Sequence, residues 1–205
     1  MGNSKEAEER KKEILDVAEE LFTAKGYDST STTEILERVG IARGTLYYHF
    51  KSKEEILDAL IDRIIQGMVS NIRLALSDKS TALQKLISFV GAMKVDSAIG
   101  KEITDYAHKP QNALMHQKIQ NSLLAVLTPI ASEIIEEGIK EGSFSTSYPE
   151  ETAEMLLIYS SVVFDDMNEM TPIEWKRKAE GFVFNMERLL GIKPGSISDI
   201  IKYIN

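Results

Sequence analysis

The chain has 205 residues, 43% apolar and 27% charged, with a formal net charge of −8 and no cysteine. This is enough apolar material for a buried core in one or two domains, and no compositional bias marks a long disordered tract. The missing cysteines exclude disulfides, thiolate metal sites and cysteine nucleophiles; with no signal-peptide core and no membrane-length apolar run, a cytoplasmic protein without membrane contacts is expected.

Ile14, Val17, Ala18, Leu21 and Phe22 recur at helical spacing and predict a first amphipathic helix ending near Gly26. Ser31-Thr32-Thr33-Glu34 has the form of a capping box, so a second helix starts there, turns Ile35, Leu36 and Val39 inward and stops at Gly40. After Gly40-Ile41-Ala42 a third helix runs from Arg43 to about His49. Two short helices across a Gly-containing turn of this length make a helix-turn-helix. A second capping box, Ser52-Lys53-Glu54-Glu55, opens a long helix over about 52–77, with Leu57, Leu60, Ile61, Ile64, Ile65, Met68 and Ile72 on its apolar stripe. Further helices are expected at roughly 81–97, 100–108, 112–141, 149–168 and 172–190, with a last one near 196–204. Pro129 should kink the 112–141 segment, Gly142–Tyr148 reads as a loop, and Pro149 suits a first helical turn. No strand pattern or internal repeat competes, so the fold class is all-α.

The charge divides unevenly along the chain. Residues 1–53 carry a net −1 and residues 54–205 a net −7, while Arg38–Lys53 contains four basic residues and no acidic one. A short basic surface on an acidic body neutralises phosphates locally. With Leu46 and Phe50 on the buried side of the third helix, Gly44 and Tyr48 point outward, flanked by Thr45 and Tyr47, and Arg43 has the reach to join them. Such a face suits a DNA groove. Arg43 matches a guanine edge or a phosphate, and Thr45 offers a hydroxyl and a methyl to thymine. Gly44 lets the backbone approach the duplex, and the hydroxyls of Tyr47 and Tyr48 suit phosphates. Lys53 in the first turn of the long helix, and the hydroxyls of Thr32 and Thr33, are further phosphate candidates. The alternative for Tyr47, Tyr48 and Phe50 is an aromatic core cluster, which leaves Arg43 and Gly44 unexplained; His49 fits either a structural or a phosphate role.

Thr32-Thr33-Glu34-Ile35, Val39-Gly40-Ile41-Ala42-Arg43-Gly44-Thr45-Leu46-Tyr47-Tyr48-His49-Phe50 and Lys51-Ser52-Lys53-Glu54-Glu55 together resemble the signature of the TetR, or tetracycline-repressor-like, family. The resemblance is dense over about residues 10–60. It implies an all-helical homodimer in which a three-helix DNA domain, 1–52, is joined by the long helix to a helical effector-binding and dimerisation domain, 53–205. It also implies operator contacts, chiefly to phosphates, from Thr32, Thr33, Ala42, Arg43, Gly44, Thr45, Tyr47, Tyr48, His49 and Lys53. In this picture a small molecule in the second domain shifts the long helix, changes the spacing of the two DNA domains and releases a palindromic operator.

The segments 149–168 and 172–190 are apolar on more than one side, and the surplus asks for a partner copy or, alternatively, for full burial in a monomer. Val162, Val163, Trp175, Phe182 and Met186 are the candidate dimer contacts. Phe89, Met93, Tyr106, His108, Leu123, Leu127, Met155 and Tyr159 mix adaptable apolar groups with polar handles and are candidate effector-pocket residues, though each also suits an ordinary core. Catalysis is not expected, nor a cofactor or metal. Asp105 and His108 stand three apart as in a di-metal bundle, but the second pair and the two further Glu-bearing helices are missing; Glu133, Glu136 and Glu137 read as a solvated face, and no phosphate loop or serine elbow appears.

Overall fold

Ser31, Thr81 and Thr171 each open a helix with the same device. In the computed structural model, which describes residues 2–76, 80–93, 98–109, 112–164 and 170–203, each of these hydroxyls accepts from the N–H three residues on. The side chain at that third position, Glu34, Gln84 or Glu174, returns to the cap's own N–H. Two otherwise orphaned donors are satisfied at each start. Ser52 works similarly: its Oγ accepts from the Glu55 N–H at 3.2 Å, while the Glu55 carboxylate reaches one residue further back, to the Lys51 N–H at 2.6 Å.

The helices that follow are α1 (Gly2–Lys25), α2 (Thr32–Val39), α3 (Arg43–His49), α4 (Lys53–Ala75), α5 (Ala82–Ala92), α6 (Ala98–Ala107), α7 (Ala113–Glu141), α8 (Pro149–Val163) and α9 (Pro172–Leu189), then a 3₁₀ helix, Ser198–Tyr203. Among the described residues there is no strand, as the all-α reading requires. The first helix reaches back to Gly2, well before its apolar stripe begins. Residues 94–97 and 165–169, where sequence spacing extends two helices, lie outside the described residues. Helix α7 continues through Pro129 without a break. Pro129 and Ala125, whose carbonyl loses its helical partner there, are both exposed, so water can satisfy that carbonyl.

The chain forms two compact units, divided differently from the 1–52 and 53–205 expected. The first combines Met1–Gln66 with Val95–Gln117; the second combines Gly67–Lys94 with Lys118–Asn205. In the first, α1 packs on α2 and α6 packs on α1. Its buried side chains include Ile14, Ala18, Phe22, Ile35, Leu46, Phe50, Leu57 and Leu60, the apolar stripes of the first four helices. Arg63 ties α4 to α1 through Asp16 at 2.6 Å and through Glu19.

In the second unit one continuous core joins Leu86, Phe89, Ile130, Ile134, Leu157, Phe182 and Met186 to Ile197 and Ile200 from the end of the chain. That end is pinned by a buried charge. The Glu187 carboxylate accepts the backbone N–H groups of Gly195 at 2.9 Å and Ile197 at 3.1 Å, which offsets the cost of removing it from water. The 3₁₀ helix is thereby held against α5 and α9.

Candidate functional site

The turn between α2 and α3 depends on Gly40, which closes α2 at φ 76°, ψ 35°. This left-handed conformation is open to glycine without a Cβ penalty, and it lets the N–H groups of Gly40 and Ile41 both bond to the Leu36 carbonyl, at 2.9 and 3.0 Å. The chain then leaves extended at Ala42, whose side chain makes no capping bond, and enters α3. One side of α3 is spent on the core, with Leu46 1% exposed and Phe50 buried. The other side faces solvent: Tyr48 is 73% exposed, and Arg43, Gly44 and Tyr47 are exposed as well. The alternative of an aromatic core therefore holds for Phe50 alone.

On this face the Arg43 guanidinium stands 5.9 Å from the Tyr47 ring, and the Tyr48 ring meets His49 edge-on at 5.1 Å. Thr45 and His49 are half-buried. A Cβ built on Gly44 meets nothing within 4 Å, so the helix backbone has open space in front of it. Thr33 is exposed and Thr32 half-buried; Ser31 takes the capping role, which leaves both threonines to face outward chemistry. The Lys51 ammonium sits at the end of α3, donating to the Tyr47 carbonyl at 2.8 Å. The assembled surface presents a two-pronged donor, several hydroxyls and an approachable backbone, the group types that contact base edges and phosphates.

Lys53 is placed differently from expectation. Its ammonium turns inward to the loop between α1 and α2, donating to the carbonyls of Tyr27 at 2.9 Å and Thr30 at 3.0 Å, and lies over the Tyr27 ring. The physical reason is that these carbonyls, beside a buried aromatic face, offer a fixed cation site that a solvated phosphate position does not. Helix α6 grips the same loop. The Glu102 carboxylate accepts from the Tyr27 N–H at 3.3 Å, the Tyr106 ring lies 4.5 Å from Tyr27, and Lys109 pairs with Asp28 at 2.8 Å, which raises the Lys109 pKa. Burial, followed by the nearby Glu54 carboxylate, pushes the Tyr27 phenol up.

Tyr106 and His108, expected in an effector pocket, thus belong to the first unit, where Tyr106 supports the α1–α2 loop and the His108 ring meets His116 edge-on at 4.9 Å. A cavity with a volume of about 240 Å³ lies in the second unit. Phe89 and Met93 line it; Leu123 and Leu127 pack in the core without lining it. Sequence reading missed Leu86, Ala153, Leu157, Ser160, Phe164 and Tyr203, all on its wall. Their helical spacing reads as core, and no sequence signal separates a cavity wall from a filled core. Met155 and Tyr159 line a neighbouring groove between α8 and α9 that shares Leu156 and Phe182 with this cavity.

Phe182 and Met186, expected at a subunit interface, also turn inward, Met186 being 3% exposed. Val162, also expected there, is 65% exposed, and the other large apolar side chains exposed on α8 and α9 are Met155, Ile158, Tyr159, Ile173, Phe184 and Leu189. Val163 and Trp175 are half-buried. Both sides of α9 are apolar, so periodicity alone assigned the wrong side to the exterior.

Comparison with known proteins agrees with this architecture. The profile of the bacterial regulatory proteins of the tetR family matches residues 14–60, and that of the tetracyclin repressor-like C-terminal domain matches 95–182. The HTH-type transcriptional activator FasR of Mycolicibacterium smegmatis is 34% identical over 118 residues, 55% of this chain and 54% of its own length. The HTH-type transcriptional repressor KstR2 of Rhodococcus jostii is 26% identical over 158 residues, 70% of this chain and 72% of its own. Among solved structures, RolR in complex with resorcinol superposes with a TM-score of 0.61 over 98% of this chain and 96% of that one; at 16% identity the likeness is one of fold. With both halves matched by profiles of one family and the helix-turn-helix formed as that family's signature implies, the chain belongs to the TetR family and is a helix-turn-helix transcriptional regulator.

Proposed function

We propose that this regulator acts in the cytoplasm as a homodimer that represses transcription from a palindromic operator and is released when a small molecule enters the second unit. The observation that carries the DNA reading is the division of α3, with Leu46 and Phe50 anchored in the core while Arg43, Gly44 and Tyr48 stand in solvent. A seven-residue helix held this way presents its first turn to a major groove, with Arg43 and Thr45 on bases. Thr32, Thr33, Ala42, Tyr47, Tyr48 and His49 hold the flanking backbone, and Gly44 permits the close approach. Lys53 supports this surface from behind by fixing the α1–α2 loop.

The outward face of α8 supports the dimer, because Met155, Ile158, Tyr159 and Val162 recur at helical spacing and are all exposed, an apolar stripe that water disfavours. Two copies then read two half-sites about one or a few helical turns apart. Effector binding rests on the cavity, whose lining is apolar and lies between helices. Repression is the sense expressed by the name of KstR2, and activation that of FasR. Selection from a random DNA pool tests the site reading: an inverted repeat should emerge, and enrichment of an unrepeated sequence, or of none, removes it. Deleting the gene separates the two senses, since a target promoter whose output rises is repressed and one whose output falls is activated.

A further inference from the structure

We infer that the cavity of the second unit takes an uncharged, largely apolar molecule that bears one hydrogen-bond donor, received by the Ser160 hydroxyl. The inference rests on the effector reading and adds the chemistry of what is bound. Among the described lining residues, only Ser160 and Tyr203 carry a side-chain nitrogen or oxygen; the rest are aliphatic, aromatic or thioether groups. None is a lysine, arginine, histidine or carboxylate. An anion or cation entering this space gives up its hydration and meets no countercharge among the described lining residues, a loss that apolar contact does not repay.

The size is consistent with a compact molecule. A dry, apolar protein cavity of about 150 Å³ accepts benzene. At about 240 Å³ this one has room for a larger, substituted or two-ring compound. Its walls are partly aromatic: Phe164 and Phe182 stand edge to face with centroids 5.6 Å apart, and such rings suit an aromatic guest. Tyr203 forms part of the wall at the end of the chain, lying so close to α5 that a Cβ on Gly91 would sit 3.2 Å from its ring.

Ser160 sets the polarity of the contact. Its hydroxyl proton is already committed, donated to the Leu157 carbonyl at 2.9 Å within α8. The oxygen keeps its lone pairs, so it accepts, and the complementary group on the guest is an O–H or N–H. A carbonyl or ether compound of the same shape finds no donor at Ser160.

Isothermal titration of the full chain at pH 7 with three compounds of one skeleton tests this: 1-naphthol, its methyl ether 1-methoxynaphthalene, and 1-naphthoate. The naphthol should bind most tightly, the ether about fivefold more weakly for want of a donor. The naphthoate should be weaker by at least about tenfold, because its charge is buried unpaired. In Ser160→Ala the naphthol should fall to the level of the ether, with the ether unchanged. In Ala153→Leu, which fills the cavity, both should lose binding. Ala131→Val repeats that test if Ala153→Leu does not fold. Equal affinity for naphthol and naphthoate, preference for naphthoate, binding by none of the three, or naphthol affinity untouched by Ser160→Ala overturns the inference. A naphthol that binds as stated yet leaves operator affinity unchanged supports the cavity chemistry and counts against the effector reading alone.

Discussion

The Lys53 ammonium lies 4.1 Å from the centroid of the Tyr27 ring while donating to the Tyr27 carbonyl, so one cation binds both the backbone and the side chain of a single residue in the α1–α2 loop. A third contact, to the Thr30 carbonyl, fixes the last residues before Ser31, where α2 is capped. The start of the helix-turn-helix is therefore set from α4.

Lys53→Ala should lower the stability of the chain by about 1–3 kcal/mol, from two lost charged hydrogen bonds and a cation–π contact. Because the ammonium is directed inward, the salt dependence of operator binding should keep its slope. Urea melts read the first quantity, and gel-shift titrations at several salt concentrations read the second. A slope reduced by about one, with stability unchanged, would return Lys53 to the phosphates.

Gly44 and Arg43 should separate stability from recognition. Gly44→Ala has open space at Cβ and adds helix propensity, so the melting point should hold or rise, by the equivalent of about 0.5–1 kcal/mol, while operator affinity falls. Arg43→Ala should weaken operator binding by about 1–3 kcal/mol if the guanidinium reads a base, and leave stability close to the parent. Full affinity in both variants rules α3 out as the reading helix.

The cap of α2 predicts an acid-sensitive start. Hydrogen bonding to Lys25, then to the Ser31 backbone and hydroxyl, lowers the Glu34 carboxyl from its ordinary value near 4.5 to about 2. A depressed folded-state value means the ionised cap contributes fully above about pH 4.5 and is lost as the pH falls towards 2. The melting-temperature gap between the parent and Glu34→Gln should hold from neutral pH to about 4.5 and close by about pH 2. The effect is small, since the group is exposed and screened. A gap independent of pH contradicts the assignment.

Val162→Glu should break the dimer. The substitution places a charge in the outward patch of α8, where Val162 is 65% exposed in the isolated chain, so it costs the monomer little and a partner surface much. Light scattering at micromolar concentration should give the mass of one chain, and operator affinity should drop because the two half-sites are no longer bound together. A dimer that survives Val162→Glu and Met155→Glu together excludes this face.

Much of the first unit is legible in the amino-acid order because its determinants are local. The Ser31–Glu34 box, the glycine at 40 and the stripe through Leu46 and Phe50 act within a few residues, so they specify starts, stops and the buried side of α3 without reference to the rest of the chain. The capping boxes at Thr81 and Thr171 are the same kind of local signal, although those helices were expected without them.

What the linear order left open is whatever depends on residues far apart in it. Nothing near Lys53 announces that carbonyls more than twenty positions earlier will receive its ammonium, and nothing near Tyr106 announces a partner at Tyr27. Helix α9 is apolar on two sides, and only its packing decides that Phe182 and Met186 face the cavity while Phe184 and Leu189 face outward. A cavity is the space that several helices fail to fill, a property of their joint packing that no single apolar stripe contains.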